Sequence, residues 1–227
     1  MIEVCIVAAQ RTPHGKFLGA LQNQTAVDLA AHAARAFADE LVGVGKLEID
    51  EHPRPDTTAE KLSALKPSFK SDGTITAGNA SGINDGAALL VVCDRRRAVE
   101  KSWPVLATIR ASASVGCDPK LMGLGPVHAT RRLCEQTGLV AAQFDTIEIN
   151  EAFAAQTLAC LRELKLNENR VNPNGGAIAL GHPIGASGAR LIAHLAHRIA
   201  RGESKLALAT LCVGGGMGSA VALARAD

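Results

Sequence analysis

The sequence is poor in aromatic rings, which make up only 3% of its 227 residues, although 47% of them are hydrophobic. Its core must therefore be built from alanine, glycine and small aliphatic side chains, a composition that suits closely packed α/β layers better than a sandwich stocked with large rings. It lacks any apolar run long enough to cross a bilayer. The formal charge of +2 is too small to imply nucleic acid or a membrane surface as partner. The run "DRRRAVEK" at 94–101 is basic but mixed in sign, and reads as a solvated helix face. The cysteines, at positions 5, 93, 117, 134, 160 and 212, show no C-x-x-C spacing and no zinc-type ligand set, so no metal centre is expected. They sit mostly inside apolar runs, and "MIEVCIVAAQRTP" does not read as a signal peptide. A reduced, cytoplasmic protein is the expectation.

What is present is regular. "IEVCIVAA" is a short β-branched run that predicts a buried strand. "TAVDLAAHAARAFADEL" at 25–41 predicts an amphipathic helix with Thr25 as N-cap and Asp28 as its capping-box partner. Thr57 or Thr58 would cap a second helix at "TTAEKLSAL", and the proline-bearing "DEHPRPDT" before it must be loop. Beyond residue 70 strands alternate with helices: strands at 86–93, 104–116 and 144–150, helices at 94–102, 126–138, 151–164 and 185–202. Two final strands, "KLALATLCV" and "GSAVALARA", flank a glycine turn. Such alternation predicts an α/β layered domain, with a mixed, mostly parallel sheet covered by helices and closed by an antiparallel pair.

Three stretches carry chemistry, and each falls where a strand or helix ends. "EINEAFA" puts Asn150 at a strand-to-helix junction, "GGAIALGHPIGASGAR" puts His182 in a glycine-rich loop, and "LCVGGGMG" puts Cys212 at a strand end. Taken singly, each has a plain structural reading. Asn150 can cap the helix that follows, His182 can be a turn histidine, and Cys212 can be a core thiol before a tight turn. Taken together, a thiol, an imidazole and an amide beside bare backbone are the groups acyl transfer uses, at the strand ends where open α/β sheets bind ligands.

These motifs, with "GNASGINDGAA" at 78–88, "MGLGP" at 122–126 and the opening "VAAQRTPHGKFLGAL", resemble those of the thiolase family, acyl-CoA acetyltransferases that make or cleave a carbon–carbon bond between acyl-CoA units. The resemblance implies a thiolase-like layered fold and a catalytic set of Cys212, His182, Asn150 and Gly214. Cys212 would move the α-carbon proton, His182 would polarise the thioester oxygen, Asn150 would fix a water in one oxyanion hole, and the Gly214 N–H would serve a second. Coenzyme A or an acyl-CoA would be substrate rather than resident cofactor. Arg54 would lie near its adenine, Ser81 near the pantetheine, and Met122, Ala152 and Phe153 along its tunnel. From residue type alone, Met122 and Phe153 read as plain core. Lys61 stands where some relatives carry a small hydroxyl residue.

The family's nucleophile sits in a Cys-Gly-Ser/Ala-Gly motif, and this sequence contains no such motif. The text resembles the family's first strand and helix through residues 1–51, a junction at 52–77, and its C-terminal domain at 78–227, meeting at the "DE" of Asp50 and Glu51. A large internal segment, including the acyl-accepting cysteine, is therefore expected to be missing. Three roles are compatible with that reading: a compromised acyltransferase, a non-catalytic module that binds acyl-CoA or pairs with a full-length thiolase or another copy, and a remnant without function.

Overall fold

The computed structural model describes residues 3–35 and 49–226. A six-stranded sheet forms its centre, in the order β4 (Ala88–Asp94), β1 (Val4–Arg11), β5 (Ala107–Gly116), β8 (Met217–Ala224), β7 (Leu206–Val213) and β6 (Thr146–Ile149). A two-stranded ribbon of β2 (Gly15–Lys16) and β3 (Asn84–Asp85) stands apart from it.

Three helical blocks cover the sheet. On one face lies α7 (Ser187–Ala200), whose Leu191, Leu195 and Ile199 pack on Ile6, Ala9, Ala107, Ala207, Ala209 and Leu223. On the other lie α4 (Gly125–Thr137) and α5 (Ala154–Leu164), where Val127, Leu133 and Cys160 meet Phe144, Ile147, Leu208 and Ala222. The short α3 (Arg95–Glu100) covers Cys5 and Val7 of β1 through Ala98. Small side chains on the strands let these layers approach closely, as the composition requires.

The local signals act as expected. Thr25 and Asp28 form a reciprocal box: the Asp28 N–H donates to Thr25 Oγ1, and Thr25 donates back to the Asp28 carboxylate from both N–H and hydroxyl, starting α1 (Ala26–Arg35). The remainder of that expected helix, 36–41, lies outside the described residues. Of the two threonines, Thr58 is the cap, accepting from the Lys61 N–H ahead of α2 (Ala59–Ser63). Gly138, at φ 72°, ends α4 in the left-handed conformation.

Strand neighbourhood departs from expectation. Among the described residues only β6 and β7 pair as parallel strands; every other strand pairing in the large sheet is antiparallel. The reason lies in who sits between whom. Strands β4, β5, β6 and β7 do share one direction, as helical crossovers impose. But β1 and β8 run the other way and are intercalated among them. The turn at 214–216 forces β8 antiparallel to β7, and β1 fills the gap between β4 and β5.

The start of α5 also differs. The helix begins at Ala154 with Phe153 as its N-cap, so Asn150 does not cap it. Residues 150–153 instead remain extended or bent, because the Ala154 N–H donates to the Asn79 carbonyl and the Asn150 N–H to the Thr210 carbonyl.

Candidate active site

Freed from capping, the Asn150 side chain turns to His182, with Nδ2 3.4 Å from the imidazole Nε2. Asn150 is fully buried, and among the described residues its Oδ1 finds no donor. A buried carbonyl oxygen without a partner is costly unless a water or ligand reaches it. Asn150 stands at the end of β6 beside Thr210 of β7, two residues before Cys212, so all three occupy the carboxyl edge of the parallel pair.

His182 is fixed on several sides. Its N–H donates to Asn84 Oδ1 at 3.1 Å, and its Nδ1 lies 2.6 Å from the Ser187 hydroxyl. Gly181 precedes it at φ 94°, and a Cβ there would collide with the Asn84 amide. Burial, and to a smaller degree the Arg190 charge, hold the imidazole below the usual histidine range, so it is neutral at pH 7. The Ser187 hydroxyl also lies 3.0 Å from the Pro183 carbonyl. Its single proton thereby selects the tautomer. Directed at Pro183, it leaves the proton on Nδ1 and Nε2 as a bare acceptor for Asn150. Directed at Nδ1, it leaves Nε2 as a donor.

Polar contacts from several segments hold this loop. The Glu151 carboxylate accepts from the Ile178 N–H at 3.0 Å and from Asn172 Nδ2 at 3.1 Å, anchoring the short α6 (Ala177–Leu180) that leads to His182. His14 Nδ1 donates to the Leu180 carbonyl at 3.0 Å, and Asn84 Nδ2 to the Gly15 carbonyl. Asp50 accepts from the His14 N–H and bidentately from Arg11. Sequence reading gave no role to Ser187, Asn84, Asn172 or His14. The serine five residues after His182 in "GHPIGASGAR" was the nearest available signal.

Cys212 is buried at the end of β7, opposite Gly218 of β8. Burial, with a further contribution from the neighbouring Cys117, pushes its thiol up, so at neutral pH it is protonated. Among the described residues its sulfur makes no hydrogen bond to His182 or Asn150. Gly214 lies in the exposed turn that follows. In that turn Gly216, at φ 88°, accepts from the Cys117 N–H and has no room for a side chain against Cys117 and Pro119.

Of the residues expected along coenzyme A, Ser81, Ala152 and Phe153 lie together, while Met122 and Arg54 stand on separate segments. Residues 80–86 run as an extended ribbon that bridges Phe153 through Ala80 and His182 through Ile83. Both the N–H and the hydroxyl of Ser81 reach the Ala152 carbonyl, at 3.1 and 3.3 Å. Phe153 meets Phe69 edge to face at 6.0 Å, and both line a mostly apolar cavity of about 450 Å³ with Ile75 and Thr74. Met122 lies on a 3-10 turn (Pro119–Leu124) whose Gly123 carbonyl accepts from Cys160 of α5. Arg54 is exposed, and its guanidinium donates to the Ala77 carbonyl, in the turn ahead of the ribbon, at 3.4 Å. Lys61 bonds to Asp56 on the surface. No group of histidine, cysteine and carboxylate side chains suited to a metal ion occurs among the described residues, and no helix there is long and apolar enough to cross a membrane.

A different groove, of about 440 Å³, lies beside α7 and is lined by Arg11, Arg190, His194 and His197. Arg190, which pairs with the buried Glu148, is on its wall, and none of the residues named for acyl chemistry lines it. A cavity by itself does not mark a site; the candidate rests on the convergent polar groups at His182.

Comparison with known proteins gives a consistent result. The family model described as "Thiolase, C-terminal domain" matches residues 103–225, and that of "Thiolase, N-terminal domain" matches 37–96. A curated relative, the probable acetyl-CoA acetyltransferase of Escherichia coli (strain K12), is 51% identical over 214 residues, covering 91% of this chain and 54% of that protein. The crystal structure of the Bacillus anthracis acetyl-CoA acetyltransferase superposes with a TM-score of 0.78 at 45% identity, covering 87% of this chain and 53% of that one. That of human mitochondrial 3-ketoacyl-CoA thiolase in complex with CoA gives a TM-score of 0.90 at 26% identity, covering 100% and 98%. The chain spans about half the length of the curated relatives it matches.

Proposed function

The chain belongs to the thiolase family, and on that premise we propose that it keeps the enolate-forming half of a thiolase site without the sulfur that would carry an acyl group. The observation that carries this reading is the Asn150–His182 contact, with an Asn150 Oδ1 that has no partner among the described residues, at the strand edge that also holds Cys212. A water accepted there would donate one proton to Asn150 Oδ1 and the other to the oxygen of a bound thioester. His182 Nε2 would be the second donor once the Ser187 hydroxyl turns to Nδ1. Cys212, as thiolate, would then take the α-proton, and the charge developing on the thioester oxygen would fall between the two donors. One such donor is worth about 3 kcal/mol of transition-state stabilisation.

The acyl-CoA would lie along the ribbon, with its pantetheine by Ser81 and Ala152 and its chain toward Phe153 and Met122. Arg54 would stand at the nucleotide end, and Gly214 would offer a backbone donor from the turn. Residues 1–51 would be what remains of an N-terminal half, joined through 52–77 to a C-terminal domain. None of the other cysteines has the setting of an acyl carrier. Cys5 and Cys93 are in strands, Cys134 and Cys160 within helices, and Cys117 beside the Gly216 turn. A complete turnover would need a second thiolase chain, or another copy, to supply that cysteine. The free cysteines fit a reducing, cytoplasmic setting.

The test separates the two half-reactions. In D2O, acetyl-CoA incubated with the full chain is expected to gain deuterium in its acetyl methyl group, and the C212A variant to show none. Thiolysis of acetoacetyl-CoA is expected to stay at the C212A level. Cys212-dependent thiolysis, or a stoichiometric acetyl adduct on any cysteine, would overturn the missing-nucleophile reading. Absence of exchange would overturn the enolate reading.

A further inference from the structure

The proposed chemistry leaves Cys5 and Cys93 unused, and they face each other. They are directly opposite in the antiparallel ladder of β1 and β4, and their sulfurs are 3.8 Å apart. Directly opposed residues of such a ladder have Cα atoms about 4.5–5.5 Å apart, inside the window of about 4.4–6.8 Å that a disulfide spans. Bonding distance is about 2.05 Å, so closure asks each sulfur to move by roughly 1 Å, within reach of a small χ1 rotation. Both sulfurs lie on the face covered by α3, in one cluster with Val7 and Ala98. The backbone around them is pinned: Val4 pairs with Asp94, and the Arg95 N–H donates to the Glu3 carbonyl at 2.9 Å.

The two thiols differ in access. Cys5 is fully buried on an inner strand, whereas Cys93 is half-buried on β4, one of the sheet's two edge strands. An oxidant therefore meets Cys93 first.

We propose that Cys5 and Cys93 form an oxidisable dithiol that a hydroperoxide closes into an intrachain disulfide, stapling β1 to the edge strand β4. Cys93 thiolate attacks the outer peroxide oxygen, breaking the O–O bond; the sulfur becomes a sulfenic acid and the peroxide's other oxygen leaves as water or alcohol. Cys5 sulfur then attacks the Cys93 sulfur, and the sulfenic hydroxyl leaves as water with the Cys5 proton. Two thiols are oxidised by two electrons, and one peroxide is reduced. Burial and the nearby Cys93 push the Cys5 thiol up to about 11, which suits it to the resolving rather than the attacking part.

The closed loop, residues 5 to 93, contains His14, Gly15, Asp50 and Asn84, the contacts that hold the His182 loop from the N-terminal side. Linking its ends restricts the unfolded chain and keeps that support attached.

The experiment treats the full chain with hydrogen peroxide at neutral pH, alkylates the remaining thiols, and maps proteolytic peptides by mass spectrometry without reduction. A Cys5–Cys93 linked peptide that dithiothreitol reverses is expected, with a Tm several degrees above that of the reduced chain. The C93S variant should give neither. Recovery of Cys5 and Cys93 as separate alkylated peptides would overturn the proposal, as would Cys93 recovered mainly as sulfinic acid. The wild-type peptide map decides the question even if C93S folds poorly.

Discussion

His14 is the most exacting test of how the His182 loop is held. It is 1% exposed, and burial, reinforced by the Arg11 charge, lowers its pKa from 6.5 to about 4. Its Nδ1 donates to the Leu180 carbonyl, two residues before His182. Between pH 6.5 and about 4 the unfolded chain therefore binds a proton at this position that the folded chain refuses. Stability then falls as pH falls across that window, and the slope ends below about 4, where both states are protonated. The gap corresponds to about 3 kcal/mol at about 1.36 kcal/mol per pH unit. The informative perturbation is His14→Asn, which keeps an N–H for Leu180 but cannot titrate. Urea unfolding followed by circular dichroism would be measured for both proteins from pH 7 to pH 4. His194, also lowered to about 4, and Glu148, raised to about 7, titrate in both proteins and cancel in the difference. The wild-type advantage over H14N should shrink by about 3 kcal/mol across the range. If the two profiles run parallel to within about 0.5 kcal/mol, His14 is not a buried neutral support and the reasoning fails.

Glu151→Gln should destabilise the protein by about 1–3 kcal/mol, because one acceptor becomes a donor facing Asn172 Nδ2, whose own oxygen is committed to the Ile149 N–H. Denaturant midpoints would measure it, and a change inside error would remove Glu151 as the anchor of the loop. Gly216→Ala combines a φ of 88° with a Cβ driven into Cys117 and Pro119, and should cost more than about 2 kcal/mol, whereas Gly188→Ala, which has open space, should be close to neutral or stabilising. Equal melting temperatures for the two would contradict the turn assignment. The raised Cys212 thiol makes the thiolate scarce at neutral pH, so the rate of α-proton exchange should climb about tenfold per pH unit through neutrality, up to a break above 9. A rate flat from pH 6 to pH 9 would mean that another base takes the proton.

Much of the fold was legible because its determinants are local. The Thr25–Asp28 box, the Thr58 cap and the glycine ending α4 are each settled by residues within one helical turn of each other. The motifs at Asn150, His182 and Cys212 were legible as residue types at element ends. Two expectations failed for a shared reason. The mostly parallel sheet missed the intercalation of β1 and β8, and the Asn150 cap missed the Ala154 N–H bonding to Asn79. Each depends on a partner distant in sequence, so no local period records it.

By itself the sequence determined most of the elements and the chemical groups at their ends, because side-chain periodicity and capping act over a few residues. The tertiary structure alone decided which strands lie side by side, and that the Asn150 amide meets an imidazole. It also decided that the loop bearing that imidazole hangs on Asn84, 98 residues away, while the Leu180 carbonyl ahead of it hangs on His14, 166 residues away. Those contacts form only when hydrophobic burial brings the layers together, and there an unpaired polar group costs more than an exposed one.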